Sequence, residues 1–319
     1  MNFGSVLVTG ATGFLGRALT RRLLDTAASD RICIFSRGEH AQARMREEFG
    51  DDPRLRWFIA DVREKERLRR AMTGVGLVIH AAALKRIETG RYNPLEMTKT
   101  NVDGTANVVE AAQDANVHKV VYVSSDKAFE PCSAYGHSKA LAESIVLASN
   151  ETVGAHGPLM SAVRYGNVWC STGSVVPKWR ALADEGKTPT MTSPHCTRFF
   201  MRIDEAVDLV LHTAQTMKGG ELAIPDLPAY RLSDLAEAMG LKPEITGLPA
   251  WEKMHESMGP GNSSDKARRM SVAELRLALA STAPGRADVR TIADQIARLS
   301  CELRQALLRE RDEAVRSAA

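Results

Sequence analysis

Three glycines, Gly10, Gly13 and Gly16, follow directly on the apolar run Val6-Leu7-Val8 and open the helical stretch Phe14 to Ala27, with Thr12, Phe14 and Leu15 between them. A strand that passes at once into a helix needs this pattern. Gly10 allows the tight turn, Gly13 lets a pyrophosphate come close to the backbone, and Gly16 lets helix and strand pack together. The free N–H groups and the positive dipole end of the helix then face an anion. Where it stands, between strand and helix, the segment predicts a dinucleotide-binding turn.

The same alternation repeats along the chain. Short apolar, β-branched runs at Ile32–Phe35, Leu55–Ile59, Leu77–Ile79, Val120–Val123 and Ser161–Arg164 are separated by helical stretches at His40–Phe49, Glu64–Met72, Asp103–Ala115 and Ala134–Ser149. Together with Val6–Val8 they predict six strands of a parallel sheet covered on both faces, an α/β doubly wound (Rossmann) fold. Beyond about residue 165 glycine and proline punctuate the chain, at Gly166, Gly173, Pro177, Gly186, Pro189 and Pro194. The expected division is a dinucleotide-binding domain over 1–165 that also takes in residues around 201–225, and a smaller, interleaved C-terminal substrate-binding lobe over 166–285. Over 286–319, Ile292, Ile296, Leu299, Leu303 and Leu307 recur at helical spacing and predict an amphipathic helix packed on its own domain or on another subunit.

Composition narrows the function. A net charge of +3 over 319 residues, with no long run of one sign, lacks the footprint of a nucleic-acid binder. No apolar run approaches the roughly 20 residues of a membrane-spanning helix, and the start carries no secretory pattern, so a soluble, cytoplasmic protein is expected. The five cysteines, Cys33, Cys132, Cys170, Cys196 and Cys301, form no CxxC pair, which argues against a metal site or a disulfide framework.

The second strand ends at Phe35-Ser36-Arg37, where an NAD-specific fold usually carries an acidic residue; Ser36 and Arg37 suit a 2′-phosphate, so NADP is expected, with NAD as the alternative. Asp61 and Val62 follow the third strand, placed to meet the adenine, although helix capping is an equally good local role for the aspartate. Ala81-Ala82-Ala83 after the fourth strand offers small side chains where a flat ring would lie on the backbone. Tyr135 and Lys139 stand at i and i+4 on one helix face. A phenol with a pKa of about 10 becomes a credible acid/base beside a cation. Ser124-Ser125-Asp126-Lys127 ends the fifth strand at the sheet edge where ligands bind. There Ser125 can hydrogen-bond a reacting hydroxyl, and Asp126 and Lys127 add an acid/base pair beyond what a simple dehydrogenase needs.

These segments resemble an extended short-chain dehydrogenase/reductase of the polysaccharide-biosynthesis group, and within it the inverting UDP-N-acetylglucosamine 4,6-dehydratases. The resemblance runs from about residue 4 to 258. It is carried by GATGFLG (Gly10 to Gly16), HAAALK (His80 to Lys85), YNPLEMTKTNVDGTANVV (Tyr92 to Val109), SSDKAFEPCSAYGHSK (Ser124 to Lys139), VRYGNV (Val163 to Val168), GSVVP (Gly173 to Pro177), TRFF (Thr197 to Phe200) and WEKMHESM (Trp251 to Met258). It implies a bound NADP that takes hydride from carbon 4 of a UDP-sugar and returns it to carbon 6, with Tyr135 as base supported by Lys139 and Ser125. Lys127 would remove the carbon 5 proton and Asp126 would protonate the departing hydroxyl. The resemblance also implies that Lys85, Thr100 and Asn101 lie beside nicotinamide and sugar, that Asn167, Ser174, Val175, Val176, Pro177, Arg198 and Glu256 contact the nucleotide or diphosphate, and that the protein is a homo-oligomer.

Three departures stand against the pattern. Pro131-Cys132-Ser133 has Ser where the family usually has Asn, Gly247-Leu-Pro-Ala-Trp-Glu-Lys253 replaces GIRPGEK and loses an Arg, and the pattern is hard to follow beyond Met258. A UDP-sugar 4-epimerase, using the same segment but returning hydride to carbon 4, is the nearest alternative; such relatives tend to have Met at the position of Tyr135. A non-catalytic, NADP-binding sensor is the alternative from another class.

Overall fold

A computed structural model describes residues 2–154 and 157–282; the amphipathic stretch expected at 292–308 lies outside them. The chain alternates from the start: β1 (Ser5–Thr9), α1 (Phe14–Asp25), β2 (Arg31–Ser36), α2 (Glu39–Phe49), β3 (Leu55–Ile59), α3 (Lys65–Ala71) and β4 (Leu77–His80). Two short helices, α4 (Ile87–Tyr92) and α5 (Pro94–Thr98), lead through a π-helical turn at Lys99–Asp103 into α6 (Gly104–Asp114). β5 (Lys119–Val123), a 3-10 turn at Asp126–Ala128, α7 (Ala134–Thr152) and β6 (Leu159–Val163) complete the six anticipated strands.

After β6 come α8 (Val175–Asp184), β7 (Thr190–Met191), β8 (Thr197–Phe199), α9 (Ile203–Thr216) and β9 (Leu222–Ala223). β10 (Ala229–Arg231), α10 (Leu232–Ala238), β11 (Glu244–Ile245), the β12 (Ser257–Gly259) and β13 (Asn262–Ser263) hairpin and α11 (Val272–Ala280) complete the order. β9 is a seventh strand that the sequence did not announce; it pairs with β6 and closes a parallel sheet of order β3-β2-β1-β4-β5-β6-β9.

Strand pleating sorts the apolar side chains into two layers. Val6, Val8, Ile32, Ile34, Leu77 and Ile79 face α1 and α9, while Leu7, Cys33, Phe35, Val78 and Val120 face the α3, α6 and α7 side. Both faces are covered, so the strands read as continuous apolar runs. A third cluster, with Trp169, Trp179, Phe200, Tyr230 and Leu235, holds α8, α10, α11 and the β8–β10 pair together.

Two features of this framework have measurable consequences. A Cβ added to Gly16 would lie 2.5 Å from Ala11 Cα, backbone that cannot swing aside. Gly16→Ala is expected to cost about 1–3 kcal/mol in urea denaturation, as overpacking does. Lys139 is buried on α7, and burial pulls its ammonium down to about 7, opposed in part by the Glu143 carboxylate. Unfolded, the same lysine titrates near ~10.4, so between about pH 7 and ~10.4 the unfolded chain binds a proton that the folded one does not, and stability rises with pH. The stability of the wild type relative to Lys139→Met should therefore climb from pH 7 to pH 10 and stay level below pH 7, read from denaturation midpoints.

Candidate functional site

Reversal of strand order between β1 and β4 opens a crevice at the carboxyl ends of the strands, and a cleft of about 950 Å³ runs through it into the third apolar cluster's territory. Its first wall is the glycine turn. Gly10 adopts φ +66° with Ala82 backbone 2.9 Å from where a Cβ would stand, and Gly13 N-caps α1 with no side chain covering the helix's free N–H groups. Thr12, Phe14, Leu15 and Gly16 line the cleft with them, as do Ala81, Ala82 and Ala83 across the crevice. Beneath, Thr9 Oγ1 accepts from Ala82 N–H and bonds His80 Nδ1 at 2.7 Å, tying β1 to β4 at the switch. Burial holds His80 far down, at about 3, so the ring is neutral.

At the far end of this wall Ser36, Arg37 and Val62 face the cleft, joined by Phe35, Gly38 and Ala41, which sequence spacing does not single out. Ser36 Oγ accepts from Gln42 Nε2 at 3.0 Å. Arg37 is half exposed, 3.8 Å from Asp61. Asp61 itself does not line the cleft, nor does it cap α3, whose N-cap is Glu64: its carboxylate accepts from Arg63 N–H and from the Arg63 guanidinium. Although burial alone would raise it, Arg63 and then Arg37 hold its carboxyl below the usual range.

The π-turn decides which side chain of the pair Thr100-Asn101 is available. Thr100 lines the cleft and its buried Oγ1 has no hydrogen-bond partner. Asn101 does not: its Oδ1 accepts from Leu84 N–H, and its Nδ2 donates to Leu84 O and Ser138 Oγ, so the expectation that it contacts sugar is corrected to a role in holding the Leu84 strand end. Ser124 and Ser174 also carry buried hydroxyls without partners on the cleft wall. A glycine cradle beneath free helix N–H groups, together with these unsatisfied hydroxyls, fits a dinucleotide. Among the described residues no group of three or more His, Cys, Asp or Glu could hold a metal ion.

Ser125, Lys127, Tyr135 and Lys139 all reach the same cleft. Ser133, in the position of the family's Asn, N-caps α7 by accepting from Gly136 N–H at 3.1 Å, so the helix bearing Tyr135 and Lys139 stays pinned. Burial pushes the Tyr135 phenol up; the Ser125 hydroxyl and the Lys127 ammonium pull it back. Lys139 is turned toward the strand, donating to Val123 O at 2.6 Å and lying 4.1 Å above the Tyr122 ring. Asp126 is buried behind the turn, off the cleft wall, with Oδ1 accepting from Ser125 Oγ and from Lys127 Nζ at 3.1 Å. Burial raises the Asp126 carboxyl, against the pull of Lys127. Burial would lower Lys127, but Asp126 and Glu256 outweigh it and hold the ammonium well above its ordinary value.

On the opposite wall stand Lys85, Asn167, Ser174, Val175, Arg198 and Glu256. Burial, then Arg86 and Lys127, lowers Lys85. The first turn of α8 turns Ser174, Val175, Lys178 and Trp179 to the cleft, so Val176 and Pro177 point elsewhere, Val176 into the third apolar cluster; their expected nucleotide contacts are corrected on that ground, and Lys178 is a wall residue that helix spacing would have found. Arg198 donates to Thr197 O, Met254 O and the Glu252 carboxylate. Trp251, in the altered loop, stacks under the Arg91 guanidinium at 3.4 Å.

The model of the polysaccharide biosynthesis protein family matches residues 6–275. The chain is 40% identical over 260 residues to an inverting UDP-N-acetylglucosamine 4,6-dehydratase of Campylobacter jejuni subsp. jejuni serotype O:2, covering 81% of this chain and 78% of that one. It is 38% identical over 272 residues to a UDP-glucose 4-epimerase of Rickettsia rickettsii, covering 82% and 80%. Among solved structures, Pen from Bacillus thuringiensis superposes with a TM-score of 0.83 at 31% identity, covering 88% of this chain and 99% of that one. Glycine cradle, seven-stranded parallel sheet and Ser-Tyr-Lys cleft thus come with a family match over most of the chain, and the protein belongs to the polysaccharide biosynthesis protein family of short-chain dehydrogenase/reductase enzymes.

Proposed function

We propose that the protein is a 4,6-dehydratase of UDP-N-acetylglucosamine, inverting at carbon 5 and using NADP. The observation that carries the proposal is that Lys127 reaches the cleft beside the Ser125, Tyr135 and Lys139 set and is hydrogen-bonded at 3.1 Å to Asp126, buried directly behind it. Oxidation at carbon 4 needs only the first set. Elimination of water across carbons 5 and 6 needs an additional acid and base. The 40% identity to a named dehydratase supports the same reading.

The glycine turn, Ser36, Arg37, Ala81 to Ala83 and Thr100 would hold the cofactor, with residues 1–165 and 201–225 as its domain. Lys85, Asn167, Ser174, Val175 and Arg198 would hold the sugar nucleotide, with 166–285 as its lobe. When bound, the nicotinamide supplies an electron-pair acceptor for carbon 4 and returns the pair to carbon 6. Tyr135 takes the proton of the carbon 4 hydroxyl, which Ser125 orients, and the resulting ketone acidifies the hydrogen on carbon 5. Lys127 rests as an ammonium. Transfer of its proton to Asp126 leaves an amine to accept the carbon 5 proton and a carboxylic acid to protonate the departing carbon 6 hydroxyl. Water leaves, and both groups return to their resting state; as the pair returns to carbon 6, carbon 5 takes a proton from solvent on the opposite face, and Tyr135 releases the carbon 4 proton to solvent, which completes the balance. Lys139, held between Val123 O and the Tyr122 ring, supports Tyr135 from the α7 face.

NADP is favoured because Arg37 faces the cleft with its head group half exposed while Asp61 is taken up by Arg63. A charge-assisted bond to a 2′-phosphate contributes about 1.5–3 kcal/mol, so Arg37→Ala should weaken NADP relative to NAD by roughly 10- to 100-fold in equilibrium titrations. The one specific finding for a second reading, a UDP-sugar 4-epimerase, is the 38% identity to such an enzyme. Incubation with UDP-N-acetylglucosamine in deuterated water, followed by NMR and mass spectrometry, separates the two. Loss of one water with deuterium at carbon 5 is expected; conversion to the galacto sugar without deuterium would make the protein an epimerase, and no change despite bound cofactor would leave a non-catalytic binder.

A further inference from the structure

Glu256 lies directly across the cleft from the catalytic turn. The family resemblance places it among the nucleotide and diphosphate contacts, but its surroundings point to another partner. Burial would raise its carboxyl, yet Lys127, then Arg198 and Lys253, hold it below the usual range, so it is an anion, which repels phosphate. Its Oε1 lies 3.3 Å from Lys127 Nζ, and Lys253 Nζ is 3.6 Å from Oε2, an atom with no hydrogen-bond partner.

The backbone around Glu256 is built to keep it there without help from the carboxylate. Glu256 N–H donates to Ser264 Oγ at 2.9 Å, Ser264 N–H returns a bond to Glu256 O at 2.8 Å, and Ser264 Oγ bonds Thr197 Oγ1 of β8 at 2.6 Å. On one side Lys253 Nζ donates to Phe129 O, immediately after the catalytic turn, at 2.7 Å. On the other Arg164 donates to Met258 O at 2.7 Å and pairs with Glu143 of α7. The hairpin would therefore hold its place with any side chain at 256. A carboxylate only 2% exposed is costly to bury, and what it touches is Lys127.

We propose that Glu256 is a positioning residue for Lys127: from the substrate lobe it fixes the amine at the reacting centre, in a cage completed by Asp126 Oδ1 at 3.1 Å and Asn167 Oδ1 at 3.4 Å. The inference rests on the dehydratase reading. It separates the two chemical steps, because oxidation at carbon 4 uses Tyr135, Ser125 and Lys139, whereas removal of the carbon 5 proton uses Lys127. It also makes elimination depend on the lobe being in place.

The test uses the full chain with its cofactor and UDP-N-acetylglucosamine in deuterated water, reading three quantities: deuterium at carbon 5, reduced nicotinamide by its near-ultraviolet absorbance, and affinity for UDP by calorimetry. Misplacing a reacting group by about 1 Å costs on the order of 100-fold. Glu256→Ala should lose carbon 5 exchange to that extent, while carbon 4 oxidation and UDP affinity stay within about 3-fold of wild type. Glu256→Gln, whose amide oxygen can still accept from Lys127, should recover much of the exchange. In a cycle with Lys127→Met, read on the residual exchange over long incubation, adding Glu256→Ala should cost nothing further, since a residue acting through Lys127 has nothing left to position; where Glu256→Ala fails to fold, Glu256→Asp, which draws the carboxylate back by one methylene, should lower exchange while carbon 4 oxidation stays intact. Weakened UDP binding with both steps reduced in parallel would make Glu256 a diphosphate contact and overturn the proposal, as would undiminished exchange in Glu256→Ala. A wild type that oxidises carbon 4 but places no deuterium at carbon 5 would instead overturn the dehydratase reading, and this proposal with it.

Discussion

The site exists because the strand order of a fully parallel sheet reverses between β1 and β4. Helices leaving the two strands run toward opposite faces, so a crevice opens between the strand ends, and the polar groups described above are brought to that one edge. The bond between Thr9 Oγ1 and a neutral His80 fixes the two strand ends to each other. From this seam the rest is laid out by distance along the sheet. The glycine turn stands on β1, the alanine floor on β4, the catalytic turn on β5 and Asn167 beyond β6, so that cradle, floor and acid/base groups open into one cleft rather than several.

How much of this the sequence revealed depends on how each part is held. Strands buried on both faces must be apolar throughout, and the six long ones were legible for that reason. β9 is two residues, Leu222–Ala223, and its place is set by pairing with β6, which no local pattern announces. α4 and α5 are too short to show a period. Gly10, Gly13, Ser125, Lys127, Tyr135 and Lys139 line one cleft because each stands next to a strand end or on one helix face, places that spacing alone singles out. The misplaced residues sit where the backbone departs from a plain helix or where one side of a helix was not distinguished from the other. The π-turn shifts the phase so that Thr100, not Asn101, is left free, and α8 presents 174, 175, 178 and 179 rather than four consecutive residues. Contacts between distant segments, such as Arg198 with Glu252 or Arg91 with Trp251, leave no trace in spacing at all.

The altered loop at 247–253 shows how the fold absorbs its departures. With a cation lost from the family pattern, the positive charges beside the loop include Arg91, Arg198 and Lys253, and each is already committed, Arg91 to the Trp251 ring, Arg198 to Glu252 and Lys253 to Phe129 O. Arg198 and Glu252 line the cleft together as that pair. The Trp251 ring stacked on Arg91 meanwhile gives that loop a hold on α4 that Gly could not provide.

Electrostatics at the Ser125–Lys127 turn then set the charge of each group there. Lys127 is the cation between two buried carboxylates, and those carboxylates differ: Asp126, pressed behind the turn, is pushed toward its protonated form, while Glu256, facing three cations, is held ionised. Groups this close titrate as a unit, and the proton is free to sit on whichever atom the neighbouring charges favour. A bound diphosphate that draws Arg198 away from Glu252 would change the field that both carboxylates experience. In the proposed reaction the acid and the base need no separate supply of protons, because one proton passing along the 3.1 Å hydrogen bond between Lys127 and Asp126 prepares both at once. Burial of the Asp126 carboxyl favours that exchange, while the carboxylates beside Lys127 oppose it by holding the ammonium.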